Sequence, residues 1–154
     1  MRFVLLTSLA VVAALSTASS PAAGGQVLRG GGLSIVAPKS WHVTHERLSE
    51  CLSPKQVLAV TDARGRLGVY ANLPRHRTLV LLLEGGPGRG FPARTEVRVP
   101  ERLDQMGGCC EMPFSPGFSV SFRDHGRNFY AFVYASDRGN AARAAAVLNT
   151  LRVS

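Results

Sequence analysis

The chain has 154 residues and a formal net charge of +8. A length of this order is typical of one domain, which can bury roughly two thirds of its unfolded surface and form a core without covalent staples. The basic residues are scattered through predicted loops instead of forming one continuous face with stacking aromatics, and this argues against a nucleic-acid-binding function.

The first residues predict export. Met1-Arg2 is a short basic region, and residues 3–15 form an apolar run that is too short to cross a bilayer, which needs about 20 apolar residues. Small residues follow it, and we expect signal-peptide cleavage after Ala18. The expected organisation is a signal peptide over 1–18, a flexible tether over 19–26 and a single α+β domain over 27–154, secreted and without a transmembrane segment after cleavage.

The sequence pattern predicts short strands in the first half of the domain. Pro38 ends one of them, because proline fixes its own backbone angle and disfavours helical geometry in the residue before it. Trp41, the only tryptophan, follows at the start of a returning hairpin strand, and we expect it to close one end of a core. The strands predicted here span 27–29, 33–36, 41–45, 56–61 and 67–70.

The second half contains the most apolar segments. Residues 78–83 are the most hydrophobic run after the signal peptide and are short enough for a buried central strand. Residues 118–123 and 128–135 are predicted to form a hairpin around the turn 124–127. We also predict an edge strand over 95–99, a helical turn within 101–108 and a last strand over 151–153. A helix is predicted over 140–150, capped by Asn140 with Asp137 adding favourable charge. Its alanine-rich face, with Ala141, Ala144 and Ala145 at helical spacing, would let it lie close to a sheet. The predicted fold is α+β, a mostly antiparallel sheet of about six to seven strands with one main C-terminal helix.

The three cysteines predict one disulfide and one remaining thiol. We expect Cys51 to pair with Cys109 or Cys110, closing a loop worth about 4 kcal/mol in the chain-entropy model, and the remaining thiol to be buried. A strained disulfide between the adjacent Cys109 and Cys110 is the other pairing. Neither a metal site nor a cofactor is predicted, because the cysteines and histidines lack the short-spaced pairs with which zinc sites begin.

Two loops are candidate binding segments. The first follows the central strand and is rich in glycine, which suits a loop that lies close to a backbone or a ligand. It comprises Glu84, Gly85, Gly86, Gly88, Arg89 and Gly90. The second is a possible basic patch, suited to attracting acidic polymers, and it comprises Arg64, Arg66, Arg75 and Arg77. The competing hypothesis is a thiol- or metal-dependent activity of Cys109 or Cys110 with His125.

Three resemblances bear on function. Residues 80–88 resemble the oxyanion-loop segment of proline-iminopeptidase-type hydrolases, but Glu84 stands where that motif has histidine and the Gly-x-Ser-x-Gly elbow is absent. Residues 33–41, a strand leading into Pro-x-x-Trp, resemble the opening of PsbP/Mog1-type domains. The paired cysteines and the Phe-Arg-Asp-x-Gly-Arg-x-Phe-Tyr-Ala hairpin resemble small secreted bacterial proteins of unknown function.

The PsbP/Mog1 resemblance implies an α/β sandwich that serves as a binding or assembly module, without transferring any site residue. The expected function is therefore that of a non-catalytic accessory or binding protein, secreted or at the cell envelope. The expected partner is an acidic envelope polymer or another envelope protein.

Overall fold

The computed structural model describes residues 24–67, 73–87, 90–106 and 115–154. Within these segments the chain forms nine strands and one helix. In chain order they are β1 (Gly25–Gly30), β2 (Leu33–Pro38), β3 (His42–Val43), β4 (Lys55–Thr61), β5 (Thr78–Gly85), β6 (Asp104–Met106), β7 (Ser115–Asp124), β8 (Arg127–Ala135), α1 (Arg138–Asn149) and β9 (Arg152–Val153).

The strands form two antiparallel sheets. The large sheet has the order β3-β4-β5-β8-β7-β6, and the small sheet has the order β1-β2-β9. With the single C-terminal helix, this confirms the predicted α+β class and the mostly antiparallel sheet. No helix in the described part of the chain is both long enough and apolar enough to cross a bilayer.

The predicted central strand and hairpin are confirmed. β5 lies between β4 and β8, and its residues 78–83 are all buried. β7 and β8 pair from Gly117 with Tyr134 to Asp124 with Arg127. The two turn residues, His125 and Gly126, have φ of 47° and 77°, as expected where a two-residue turn must match the twist of the strands.

Side chains alternate between two faces of the large sheet. On the helix face, Val80, Leu82, Phe129 and Val133 pack with the small sheet and α1 in one apolar cluster. The alanines of α1 predicted to allow close packing, Ala141, Ala144 and Ala145, are buried in this cluster. On the opposite face of the sheet, a second apolar cluster contains Leu48, Ala59, Ala63, Leu67, Leu79, Leu81, Leu83 and Tyr134.

The edge-strand prediction was wrong in position. Residues 95–99 form no strand, whereas β6, within the segment predicted to hold a helical turn, pairs with β7. The reason lies in Val97, whose backbone N–H donates to Asn149 Oδ1 at 2.8 Å and whose carbonyl accepts from Asn149 Nδ2 at 3.1 Å. Its backbone hydrogen bonds are made with the end of α1, so no strand partner is needed.

The N-terminal half differs from prediction in its pairing. β1 begins at Gly25, so part of the predicted tether belongs to the small sheet. Only His42 and Val43 of the predicted strand 41–45 are in a strand, and they pair with β4 and not with the preceding strand. Trp41 is buried in the helix-face cluster, which confirms its expected place in the core. Leu67 lies in no strand, and residues 68–70 are outside the described segments.

The helix begins two residues before the predicted start. Its N-cap is Asp137, whose Oδ1 accepts from the Asn140 backbone N–H at 2.8 Å. Asn140, predicted as the cap, is instead buried in the first turn and donates its side-chain N–H to Asp137 Oδ2 at 2.6 Å. The backbone of Asp137 is extended and lies just outside the helix, and its carboxylate satisfies an otherwise unpaired N–H, as N-cap residues do.

Candidate functional site

Glu84, predicted at the base of a ligand loop, is engaged in an ion pair. Its Oε1 lies 2.7 Å from Arg127 Nε and its Oε2 lies 2.8 Å from Arg127 Nη2, a bidentate arrangement. The same guanidinium donates to Gly31 O at 2.8 Å and lies 5.1 Å from the centre of the Phe129 ring. Arg127 therefore fastens the turn between β1 and β2 to the large sheet.

Arg94 makes a second link of the same kind. It donates to Asp124 Oδ2 at 2.9 Å, to Leu151 O at 2.6 Å and to Asn149 O at 3.1 Å. Its guanidinium lies 5.7 Å from the centre of the Phe122 ring. One side chain thus joins the end of β7 to the carbonyl end of α1, where positive charge is favourable. Sequence reasoning missed this residue, because no local pattern marks its role.

The pKa values of both carboxyls follow from these contacts. Hydrogen bonding from Arg127 lowers the pKa of Glu84, although burial opposes the shift. Burial also disfavours ionised Asp124, but hydrogen bonds from Arg94 and His125 outweigh it and hold the pKa of that carboxyl below its usual value. Both groups are therefore ionised at neutral pH, which suits them to structural ion pairs and not to proton transfer.

These shifts predict acid sensitivity. A carboxyl whose pKa is lower in the folded state stabilises the fold above its unfolded-state pKa, and this contribution is lost as the pH falls through the folded-state value. We expect the free energy of unfolding, measured with urea, to decrease from about pH 6 to about pH 3. The double variant Glu84→Gln/Asp124→Asn should show a smaller decrease. An equal decrease in both proteins would contradict the assignment.

The rest of the predicted glycine loop is held by packing where it is described. A side chain at Gly85 would come 3.3 Å from the Tyr130 ring and 3.6 Å from Phe91, and these two rings pack edge to face. Asn128 Nδ2 donates to Gly86 O at 3.1 Å. Gly90 has φ of 108°, a left-handed conformation that favours glycine, whereas Gly88 and Arg89 lie outside the described residues. The fold thus accounts for glycine at positions 85 and 90, whereas nothing in the structure requires glycine at position 86.

His125 and the cysteines are the residues of the competing thiol- or metal-dependent hypothesis. His125 is exposed on the β7–β8 turn, and its Nδ1 lies 2.6 Å from Asp124 Oδ1. Cys109 and Cys110 are outside the described residues, so both the thiol hypothesis and the predicted pairing with half-buried Cys51 stay predictions. In the described segments, no group of three or more His, Cys, Asp or Glu side chains could hold a metal ion.

The fold brings the two halves of the predicted basic patch together. The turn with Arg64 and Arg66 follows β4, and the loop with Arg75 and Arg77 precedes β5. Asp62 joins them, because the Thr78 N–H donates to Asp62 Oδ1 at 2.7 Å and the Asp62 N–H donates to Thr78 O at 3.3 Å. All four arginines are exposed at the same end of the large sheet.

A shallow pocket continues this surface toward α1. His76 has φ of 62°, and its backbone N–H donates to Ser136 Oγ at 3.3 Å, which places the loop beside the start of the helix. The pocket has a volume of about 500 Å³ and is lined by His76, Asp137, Gly139, Asn140 and Arg143. We name this surface the basic end and define it by Arg64, Arg66, Arg75, His76, Arg77 and Arg143.

Comparison with known proteins adds no assignment: the chain matches no family model, no curated protein and no solved structure.

Proposed function

We propose that this protein is a non-catalytic, extracytoplasmic binding module that holds an acidic polymer at the basic end. The observation that carries the proposal is the convergence of exposed arginines from two loops and the helix at one end of the sheet. Export is part of the proposal and rests on the signal-peptide pattern of residues 1–18. The resemblance to PsbP/Mog1-type sandwiches supports a binding role, since such folds are mostly binding or assembly modules.

The arginines of the basic end are exposed, in contrast to the two arginines that link elements of the fold. Arg94 and Arg127 are committed to carboxylates and backbone carbonyls inside the fold. In contrast, Arg66 is 98% exposed and its Nε lies 3.8 Å from Glu46, a loose contact that contributes little. Guanidinium groups in this state can exchange water for phosphate or carboxylate oxygens of a ligand.

A polymer is a better match than a small molecule. The pocket beside α1 is open and contains the ionised carboxylate of Asp137, whose pKa is lowered by the hydrogen bond from the Asn140 backbone N–H. A single anion there would meet this negative charge, whereas a chain of anionic groups can pass over the exposed arginines around it. Binding by several exposed charges should be weak per contact and sensitive to salt.

The test is a charge-neutralised variant in which glutamine replaces Arg64, Arg66, Arg75 and Arg77. Its matched control has the same net charge and carries glutamine at four exposed arginines elsewhere, Arg98, Arg102, Arg123 and Arg152. Polyphosphate and poly-glutamate are the probes, with affinity measured by fluorescence anisotropy at increasing salt. We expect the first variant to bind at least about tenfold more weakly than the wild type, equivalent to about 1.4 kcal/mol.

The control should stay close to the wild type in this assay. Equal losses in both variants would show that net charge alone attracts the polymer, and no binding by the wild type would contradict the proposal itself. Circular dichroism of both variants confirms that the comparison is made between folded proteins.

A further inference from the structure

The outer edge of β1 has a defined hydrogen-bonding pattern. β1 and β2 are joined by the two-residue turn Gly31-Gly32, and Gly30 pairs with Leu33 at its base. In a hairpin of this kind the closing pair exchanges both of its backbone hydrogen bonds, and the pattern alternates along the strand. The N–H and C=O groups of every second residue of β1, namely Gly25, Val27 and Arg29, therefore point away from β2.

These outward groups are available for pairing. The small sheet ends at β1, and within the described segments no hydrogen bond is made by the backbone of Gly25, Val27 or Arg29 toward that side. β1 has neither a proline nor an inward-pointing charge, two of the devices that normally protect an edge strand from pairing with another chain.

An apolar pair lies on the outer face beside this edge. Val27 is 53% exposed and Val36 is 36% exposed, and the two residues are direct partners in the β1–β2 ladder. They are two of the four large apolar side chains exposed in the described part of the chain. An apolar pair next to an unpaired edge is typical of a surface that accepts an additional strand.

We propose that this edge pairs with β1 of a second copy of the chain. The two β1 strands run antiparallel, and a two-fold axis passes between the two copies of Val27. In this register Val27 lies opposite its own copy, and Gly25 lies opposite Arg29 in both directions. The outward groups of all three residues then meet outward groups of the other chain, which gives about six backbone hydrogen bonds. The small sheets of the two copies become one continuous sheet.

The side chains of the edge favour its own copy as the partner. Val36 and Val27 of each chain form a row of four adjacent valines across the joined strands, which removes their exposed surface from water. Arg29, the only charged residue of β1, lies opposite a glycine. The two arginines are then four residues apart along the strands, roughly 14 Å, beyond the screening length at physiological salt.

This dimer is independent of polymer binding, because the edge of β1 contains none of the residues of the basic end. It would nevertheless affect polymer binding, since two basic ends in one particle can engage one polymer with greater avidity. Because the two proposals rest on different residues, a monomeric protein would not contradict polymer binding, and a protein that binds no polymer would not contradict the dimer.

The first test is sedimentation velocity of the mature protein across the micromolar range, comparing the wild type with Val27→Pro. Proline removes the outward N–H of residue 27 and is tolerated on edge strands when that N–H does not pair within the sheet. We expect the wild type to shift from monomer to dimer with concentration and the variant to remain monomeric. Leu52→Ser removes a side chain that is 89% exposed elsewhere, and it should dimerise like the wild type.

A second variant keeps the test valid if Val27→Pro destabilises the fold. If Val27→Pro lowers the melting temperature, Val27→Asp replaces it, because two carboxylates placed opposite each other oppose pairing without altering the backbone. A wild-type protein that stays monomeric at every concentration would overturn the proposal, and so would a dimer that folded Val27 variants leave unchanged.

Cross-linking tests the register. Val27→Cys should form a disulfide-linked dimer under mild oxidation, because directly opposite residues have Cα atoms about 5.5 Å apart. Val36→Cys should not cross-link above the background set by the wild-type cysteines, since its copy is three strands away, roughly 14 Å. Equal cross-linking at the two positions would overturn the proposed axis.

Discussion

Replacing Arg94 with methionine should lower the free energy of unfolding by about 3 kcal/mol, measured by urea denaturation at neutral pH. Methionine keeps much of the length and packing of the side chain but donates no hydrogen bond. Asp124 would lose its half-buried partner, and the carbonyls of Asn149 and Leu151 would lose donors at the end of α1. The cost is mainly that of leaving these groups without partners.

Two comparisons make this result specific. Arg98→Met removes an exposed arginine whose partner, Glu96, is also exposed, and it should change stability by less than about 0.5 kcal/mol. Arg94→Lys keeps the charge but not the planar fork of donors, so an intermediate loss is expected. If Arg94→Met and Arg98→Met had equal effects, the proposed link between β7 and α1 would be wrong.

Gly117→Ala should be at least as disruptive, with an expected loss of about 3 kcal/mol or more. Gly117 lies in β7 between β6 and β8, and a Cβ there would come 2.0 Å from the backbone oxygen of Val133. Because the obstructing atom belongs to the backbone of a central strand, relief requires the strands to separate and their hydrogen bonds to lengthen. Chemical denaturation and the melting temperature both report this loss.

The matched control is Gly86→Ala. Gly86 is exposed, and a Cβ at that position would meet no atom within 4 Å. Its replacement should leave stability nearly unchanged or raise it slightly, because alanine restricts the unfolded chain more than glycine does. Similar losses in the two alanine variants would contradict the close approach of β7 and β8.

The parts of the fold that sequence predicted are those with a strong local pattern. The run that became β5, the aromatic hairpin of β7 and β8, and the alanine spacing of α1 each specify an element without reference to distant residues. Residues 95–99 alternate like a strand, yet their backbone partner is Asn149, 52 residues from Val97. Such a partner is decided by tertiary packing, which overrides local propensity.

The same distinction applies to the candidate site. The density of arginines in residues 64–77 indicated a basic patch, and the fold brings both loops to one end because β4 and β5 are neighbouring strands. Glu84 was predicted beside a ligand loop, whereas its ion-pair partner is Arg127, 43 residues away. A carboxylate before a glycine run looks the same in sequence whether it meets a ligand or an internal arginine.

The pairing of β2 with β9 has a consequence for the order of folding. Leu33 pairs with Val153, and Thr150 Oγ1 accepts from the Val36 N–H across 114 residues of sequence. The small sheet therefore stays incomplete until the C-terminal segment arrives, and loop closure over such a distance is slow. Until residues 150–153 are available, β2 lacks its β9 partner and the Thr150 hydroxyl that binds the Val36 backbone, so we expect the small sheet to be completed after the β5–β8–β7 core of the large sheet.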